Sequence, residues 1–350
     1  MSSPTPPRKA VSVLIVDDSG FMRLALRKML QRDPSIRVVG EAGTGEEALR
    51  LTRLYRPDVV TMDVEMPGGC GLEATRKIME QCPTSIIMVS SLTRVAADTT
   101  LKALAAGAVD FIPKASSFVD LDIVAIEKEL CRKIHYWAQQ GPTLRPSVTT
   151  ARKPVHTTAR RPGGVPDVIV IGASTGGPKV LPQLFRLLPP LQCPVVIALH
   201  MPPLYTQSFA EHLAENTGHQ VSEGSDGALL RPRQVLVAPG GTDSEIIAEG
   251  PQYRLRVARD DKRSIHPSVD VLFASAARHA RNPVAVILTG MGDDGLQGGR
   301  ALHAQQRPLL AQNEESCLVY GMPRAVAEAG IASELLDIAG IARRLAAWAA

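Results

Sequence analysis

No run of apolar residues in this 350-residue chain approaches the roughly 20 needed to cross a bilayer. Met1 to Ala10 is polar and proline-rich. The first apolar run, Val11 to Val16, stops at Asp17 and Asp18, too soon for the apolar part of a secretory signal. Paired cysteines are missing as well. Cys70, Cys82, Cys131, Cys193 and Cys317 are odd in number, scattered, and form no C-x-x-C. They fit buried thiols in a reducing compartment better than disulfides or zinc. A cytoplasmic protein with no membrane insertion is expected. The chain also lacks a strong net charge: 39 Lys and Arg against 35 Asp and Glu leave +4, too little to argue for nucleic acid. Acid is absent between Glu129 and Asp167, where Arg132, Lys133, Arg145, Arg152, Lys153, Arg160 and Arg161 lie. That stretch is a basic tether in an otherwise balanced chain.

The most distinctive sequence that is present runs Val168-Ile-Val-Ile-Gly-Ala-Ser-Thr-Gly-Gly-Pro178. Val168 to Ile171 have the fully apolar character of a strand buried in a parallel sheet. The glycines then turn the chain, and Val180 to Leu188 carry helix-like apolar spacing. A serine at such a turn can be a nucleophile, with helix N-terminal amides stabilising an oxyanion. The same glycines could let backbone amides cradle a phosphate. A plain glycine-rich turn also remains open on spacing alone.

A length of 350 residues suits two domains. In the first, residues 11–138, apolar strands at Val11–Val16, Arg37–Val39, Val59–Met62, Ile86–Val89 and Val109–Ile112 alternate with helical patterns. The last of these helices runs from about Leu121 to Trp137. This alternation predicts a parallel sheet covered by helices on both faces, with ligands beyond the strands' C-terminal ends. Asp17, Asp18 and Asp63 fall at those ends and would form an oxygen-rich pocket suited to Mg2+. Ser90 and Lys114 follow two further strands and could bind an incoming phosphoryl group.

The segments Leu14-Ile-Val-Asp-Asp-Ser19, Met62-Asp-Val-Glu-Met-Pro67, Met88-Val-Ser-Ser91 and Asp110-Phe-Ile-Pro-Lys114 resemble a two-component receiver domain. The resemblance implies Asp63 as phosphoacceptor, with Asp17, Asp18, Asp63 and the Glu65 carbonyl around Mg2+. Ser90 and Lys114 would contact the phosphoryl group, and Phe111 would take the aromatic switch position.

Residues 139–166 hold five prolines among Ser, Thr, Gly and Arg, with hardly an aliphatic anchor. Such a segment cannot bury enough apolar surface to fold alone, and a flexible tether is expected. Residues 1–10 are expected to be disordered.

In the second domain, residues 167–350, strand Val195–Leu199 ends at His200, and Val284–Leu288 ends in Thr289-Gly-Met-Gly-Asp-Asp-Gly295. Serine, histidine and acid thus follow three apolar strands. A hydroxyl nucleophile needs a base, and the base needs a carboxylate to hold its tautomer. The order Ser, His, Asp differs from the Ser, Asp, His order of lipase-like hydrolases. A dinucleotide site is disfavoured, because the G-x-G-x-x-G spacing is missing and the next strand ends in histidine. The triad reading therefore prevails over the phosphate cradle.

Ile171-Gly-Ala-Ser-Thr-Gly-Gly-Pro178, His200-Met-Pro202, Ala238-Pro-Gly-Gly241, Pro267-Ser-Val-Asp-Val-Leu-Phe273, Leu288-Thr-Gly-Met-Gly-Asp-Asp-Gly295 and Gly321-Met-Pro323 resemble the catalytic domain of chemotaxis protein-glutamate methylesterases. The resemblance implies Ser174 as nucleophile, His200 as base and Asp294 as orienting acid. It also implies support from Thr175 and an oxyanion position near the Met291 backbone. Asp243 stands where the family often has histidine, and Leu199 where glutamine commonly precedes the histidine.

The expected fold is therefore two doubly wound parallel-sheet α/β domains, one flavodoxin-like and one Rossmann-like, on a flexible linker. The expected protein is a phosphorylation-regulated hydrolase of glutamate methyl esters that also deamidates glutamines on chemoreceptors. Its partners would be chemoreceptor cytoplasmic helices and a chemotaxis histidine kinase. It would act as a monomer, need Mg2+ at the receiver alone, and bind no nucleic acid. The resemblance further implies that phosphorylation of Asp63 releases the esterase entrance. A binding module without turnover and a DNA-binding output are the rivals. The intact Ser174, His200 and Asp294 weigh against the first, and αβ alternation in place of a compact helix-turn-helix weighs against the second.

Overall fold

The computed structural model describes residues 10–66, 71–114, 123–142, 162–259 and 265–349. Nearly all of the expected disordered N-terminus, and residues 143–161 of the expected linker, lie outside them. The chain divides into two compact units, Met1–Arg145 and Pro146–Ala350. Among the described residues, no helix is long and apolar enough to cross a membrane.

The first unit runs β1 (Val11–Val16), α1 (Gly20–Gln31), β2 (Ile36–Ala42), α2 (Gly45–Tyr55), β3 (Val59–Asp63), α3 (Gly71–Gln81), β4 (Ser85–Ser90), α4 (Arg94–Ala105), β5 (Asp110–Pro113) and α5 (Ile123–Gln140). Its five strands form one sheet in the order β2-β1-β3-β4-β5, all parallel. The apolar runs read from sequence are its buried strands, with Val13 to Val16, Val59, Val60 and Ile86 to Val89 at most 3% exposed. Each such aliphatic side chain contributes about 1.5–3 kcal/mol on burial. Helix starts follow local chemistry: the Ser19, Thr44 and Thr93 side chains accept from the Met22, Glu47 and Ala96 amides and cap α1, α2 and α4. Helix α5 continues to Gln140 and does not stop at Trp137. Trp137 is 1% exposed and its indole donates to Asp110 Oδ2 at 3.3 Å, so this turn of the helix is anchored in the core.

The second unit runs β6 (Val168–Ala173), α6 (Gly177–Leu187), β7 (Val195–Leu199), α7 (Tyr205–Thr217), β8 (Gln220–Glu223), β9 (Gln234–Val237), β10 (Asp243–Glu249), β11 (Gln252–Ala258), α8 (Val269–His279), β12 (Pro283–Ile287), α9 (Leu296–Ala304), β13 (Leu309–Gln312), α10 (Met322–Glu328), β14 (Glu334–Leu336) and α11 (Ile338–Ala349). Seven strands form a parallel sheet in the order β14-β13-β12-β6-β7-β9-β8. Strands β10 and β11 form a separate antiparallel hairpin. The expectation of two parallel-sheet α/β domains is borne out.

The period-2 alternation of Tyr253-Arg-Leu-Arg-Val257 marks β11 as a half-buried strand, whereas Ile246-Ile-Ala248 in β10 interrupts that period. Arg254 and Arg256 pair there with Glu249 and Glu245. The C-terminal helix α11 packs into the core, with Ile341 and Leu345 fully buried.

Candidate active site

Strand order determines where the site forms. Strand β6 is central, the chain proceeds outward from it through β7 to one side, and β12 lies on its other side. A parallel sheet opens a crevice at such a reversal, beyond the C-terminal strand ends. Ser174 is the first residue past β6. His200 is the first past β7, whose Leu199 pairs with Ala173. Asp294 lies on the loop leaving β12, whose Ile287 pairs with Gly172.

The structure brings these three side chains together. His200 Nδ1 lies 3.1 Å from Ser174 Oγ, and His200 Nε2 lies 2.8 Å from Asp294 Oδ2. The histidine and acid side chains are 12% and 14% exposed, enough for access yet shielded from bulk water. Burial by itself would raise the Asp294 pKa. The hydrogen bond and charge of His200, with the Asp270 and Val269 amides, outweigh it and hold the group down to about 2. An ionised Asp294 can only accept, so the ring proton sits on Nε2. The Nδ1 lone pair then faces the Ser174 hydroxyl, the geometry of a general base.

Asp294 is held by more than histidine. Its Oδ2 also accepts from Val269 N at 2.7 Å. Its Oδ1 accepts from Asp270 N at 2.9 Å, Gly295 N at 3.0 Å and the Ser268 hydroxyl at 3.2 Å. The Val269 and Asp270 amides open helix α8, where unpaired N–H groups and the helix dipole favour an anion. Asp270 itself is a second acid here. Burial pushes its pKa up, against the opposing pull of the Gly298 amide. Asp293, the neighbour of Asp294, is exposed.

The loop after β12 comes close to Ser174 because residue 290 is glycine. A Cβ there would stand 2.9 Å from the Ser174 Cβ and 2.2 Å from Met322 Sδ. Next in the chain is Met291, whose backbone N–H has no backbone acceptor among the described residues. Thr175 is buried, and its carbonyl oxygen lies 3.0 Å from Thr289 Oγ1. Thr289 is fully buried. Its amide donates to Gln312 Oε1 at 2.9 Å, and its hydroxyl accepts from the Val319 amide at 2.9 Å. Asp243 is buried beside this region, accepting from Ser268 N at 2.8 Å and lying 3.1 Å from His266 Nδ1.

Sequence reasoning gave no role to Thr289, Gln312, Ser268 or Asp270. The pattern Ser268-Val-Asp270 before an apolar run is a helix-start signature and could have flagged two of them. Gln312, a buried polar residue ending an apolar strand, offered a weaker signal.

In the first unit, Lys114 Nζ lies 2.9 Å from both Asp17 Oδ2 and Asp63 Oδ2. Asp17 and Asp63 are 0% and 2% exposed, while Asp18 is exposed at the rim. One carboxylate oxygen from each of the three acids lies within 4.8 Å of the others. Burial pushes the Asp63 pKa up, with the Lys114 hydrogen bond opposing it. Burial acts to lower the Lys114 pKa, yet its two carboxylate partners raise it above the ordinary lysine value. This all-oxygen donor set, three carboxylates beside a single ammonium, fits a hard divalent cation. Glu65 N donates to Asp63 Oδ1 at 3.3 Å, which brings residue 65 to the rim. Ser90 is buried, and its hydroxyl accepts from Thr100 Oγ1 at 2.9 Å, so it is engaged with α4. Phe111 is buried, its carbonyl accepting from Lys133 Nζ at 2.8 Å.

Residues 169–345 match the family model described as CheB methylesterase. Residues 13–125 match that of the response regulator receiver domain. The protein-glutamate methylesterase/protein-glutamine glutaminase 1 of Oleidesulfovibrio alaskensis is 40% identical over 362 residues, covering 96% of this chain and 98% of that protein. A relative with the same activities in its name, from Halalkalibacterium halodurans, is 39% identical over 340 residues, covering 95% of this chain and 96% of that one. The crystal structure of the Thermotoga maritima CheB methylesterase catalytic domain is similar with a TM-score of 0.51 and 34% identity. It covers 53% of this chain and 98% of that one.

Proposed function

The chain belongs to the CheB methylesterase family, with a response regulator receiver domain in the same polypeptide, and we propose that it hydrolyses glutamate γ-methyl esters of chemoreceptors under phosphorylation control. The observation that carries this reading is the placement of His200 between Ser174 at 3.1 Å and Asp294 at 2.8 Å.

Ser174 Oγ attacks the ester carbonyl while its proton passes to His200 Nδ1. Asp294 stabilises the imidazolium so formed without taking its proton. The carbonyl oxygen becomes an oxyanion, and the N–H of Met291, the residue after Gly290, is the donor assigned to it. Thr175 supports the turn that presents the nucleophile. Collapse breaks the C–O bond to the methoxy group, which leaves as methanol with the proton from His200. Water, deprotonated by His200, then cleaves the acyl-serine to release the glutamate carboxylate and restore Ser174. A glutamine side chain would follow the same path with ammonia as leaving group, and the names of the relatives favour that second activity.

The receiver supplies the control. Asp63 is the phosphoacceptor. Asp17, Asp18, Asp63 and the Glu65 carbonyl would hold Mg2+, which neutralises charge on the incoming phosphoryl group. Lys114 balances the two buried acids and would meet a phosphoryl oxygen. Ser90 would reach that group only by giving up its Thr100 partner. A histidine kinase is the phosphodonor, receptor helices are the substrate, and the enzyme works as a monomer in the cytoplasm.

The test is methanol release from a methyl-esterified receptor fragment by the purified chain and by Ser174→Ala. Loss of a nucleophile from such an array costs several orders of magnitude. Residual turnover within about tenfold of the parent would overturn the assignment.

A further inference from the structure

Asp270 takes no part in the reaction as derived, yet its carboxylate is matched to that of Asp294. The two acids exchange helix ends. Asp294 stands just before α9 and takes the opening amides of α8, Val269 N at 2.7 Å and Asp270 N at 2.9 Å. Asp270 stands in the first turn of α8, and its Oδ1 takes Gly295 N at 2.9 Å and Gly298 N at 2.8 Å, where α9 begins. Each helix is capped by the acid of the other.

Helix α9 has no side-chain cap of its own. Its N-cap is Gly295, at φ +98°, where a Cβ would stand 2.7 Å from Ile287 Cδ1 and 2.9 Å from Val269 Cγ1. Glycine is required there by both conformation and space. Leu296 N donates to the Asp293 carbonyl at 3.0 Å, and the Gly298 amide at this helix end is taken by Asp270. Gly295 N also lies 3.0 Å from Asp294 Oδ1, so the peptide following Asp294 is pinned between the two carboxylates.

We infer that Asp270 is a positioning residue: by holding the Asp294–Gly295 peptide against α8, it sets the angle at which Asp294 meets His200. The inference rests on the triad reading above. Two anions this close repel, and the arrangement offsets the repulsion by setting each on the positive end of the other's helix. Removing the Asp270 oxygens frees the Gly298 amide and leaves the Gly295 amide to Asp294 Oδ1 alone. The Asp294 carboxylate then loses its fixed direction. A displacement of about 1 Å in such an array can cost a hundredfold in rate.

The test compares Asp270→Ala and Asp270→Asn in the full chain, each alone and combined with Asp294→Asn. Asn keeps an acceptor oxygen for the two amides. Asp270→Ala should lower kcat for methyl-ester hydrolysis about tenfold or more with KM within about twofold. With Asn at 294 that loss should shrink below about twofold, because residues acting through one another are not additive. Asp270→Asn should recover activity to within about threefold of the parent. In the histidine-labelled chain, the His200 Nε2 proton resonance should shift or broaden in Asp270→Ala and return in Asp270→Asn. Equal losses in both backgrounds, or an unchanged imidazole resonance in folded Asp270→Ala, would overturn the inference. Should the alanine variant fail to fold, Asp270→Ser, whose hydroxyl can still take one amide, is read in the same two ways. The resonance needs no turnover. A chain unable to cleave methyl esters would sink the functional reading while the resonance still decides the role of Asp270.

Discussion

Thr289 Oγ1 lies 3.0 Å from the carbonyl oxygen of Thr175, so the loop leading to Asp294 is tied to the turn that presents Ser174. The same hydroxyl accepts from the Val319 amide at 2.9 Å, and all of it is buried. The two halves of the site, which arise from different strands, are thereby fixed to each other.

Thr289→Val keeps the shape and removes the tie. Two buried backbone groups lose their partner, at a cost of about 1–3 kcal/mol each. The variant is expected to melt several degrees lower and to lose esterase activity about tenfold through slackened geometry. Thr289→Ser, which restores the hydroxyl, should recover most of both. A valine variant that matches the parent in melting and turnover would show that the tie is dispensable.

Asp293 and Asp294 are adjacent, but the imidazole meets Asp294 alone at 2.8 Å, while Asp293 is exposed. Asp294→Asn removes the charge that stabilises the imidazolium and should lower kcat by at least about a hundredfold. Asp293→Asn should stay within about threefold, as a solvated charge does. Steady-state kinetics on the pair decides it, and a damaging change at 293 would move the orienting role by one residue.

The lowered pKa of Asp294 makes it an acid-sensitive contributor to stability. Folding takes this group from 3.8 to about 2, because the His200 and amide bonds outweigh the effect of burial. An acid with a depressed folded pKa contributes stability above its unfolded value and loses it as pH falls through the folded one. The contribution at neutral pH is on the order of 2 kcal/mol. The stability gap between the parent and Asp294→Asn, read by denaturant unfolding, should therefore close between about pH 4 and pH 2. A gap that stays constant across that window would mean the carboxylate is not held ionised by these bonds.

The receiver pocket predicts its own chemistry. Asp63 is buried, ion-paired to Lys114 at 2.9 Å, and within reach of Asp17 and Asp18. Asp63→Asn should take up no phosphate from a small-molecule phosphodonor with Mg2+ present, as read by intact mass. The parent should stop doing so when the metal is chelated. Stoichiometric phosphorylation of the asparagine variant would place the acceptor elsewhere.

Much of this arrangement could be read before any coordinates, because it is encoded locally. Val13–Val16, Val59–Met62 and Val168–Ile171 are short, largely apolar runs bounded by polar or glycine-rich segments, the pattern of strands buried on both faces. Whatever polar residue follows such a run must emerge at a strand end. Ser174, His200, Asp17, Asp63 and Lys114 were therefore placed by their position behind an apolar run. The choice of Asp294 over Asp293 came from motif resemblance, since two neighbouring acids on a glycine-rich loop look alike in composition.

Other features depend on residues distant in sequence, and only packing could decide them. Asp270 and Gly295 meet because α8 and α9 begin side by side. Thr289 reaches Thr175 and Gln312 because β12 lies between β6 and β13. Ser90 turns to Thr100 because α4 covers the end of β4, and Arg254 and Arg256 find glutamates through the β10–β11 hairpin. No local period encodes such partnerships. A buried donor or acceptor takes whichever partner the packed elements bring within hydrogen-bond distance, and that identity is settled only when the sheet and its helices close together.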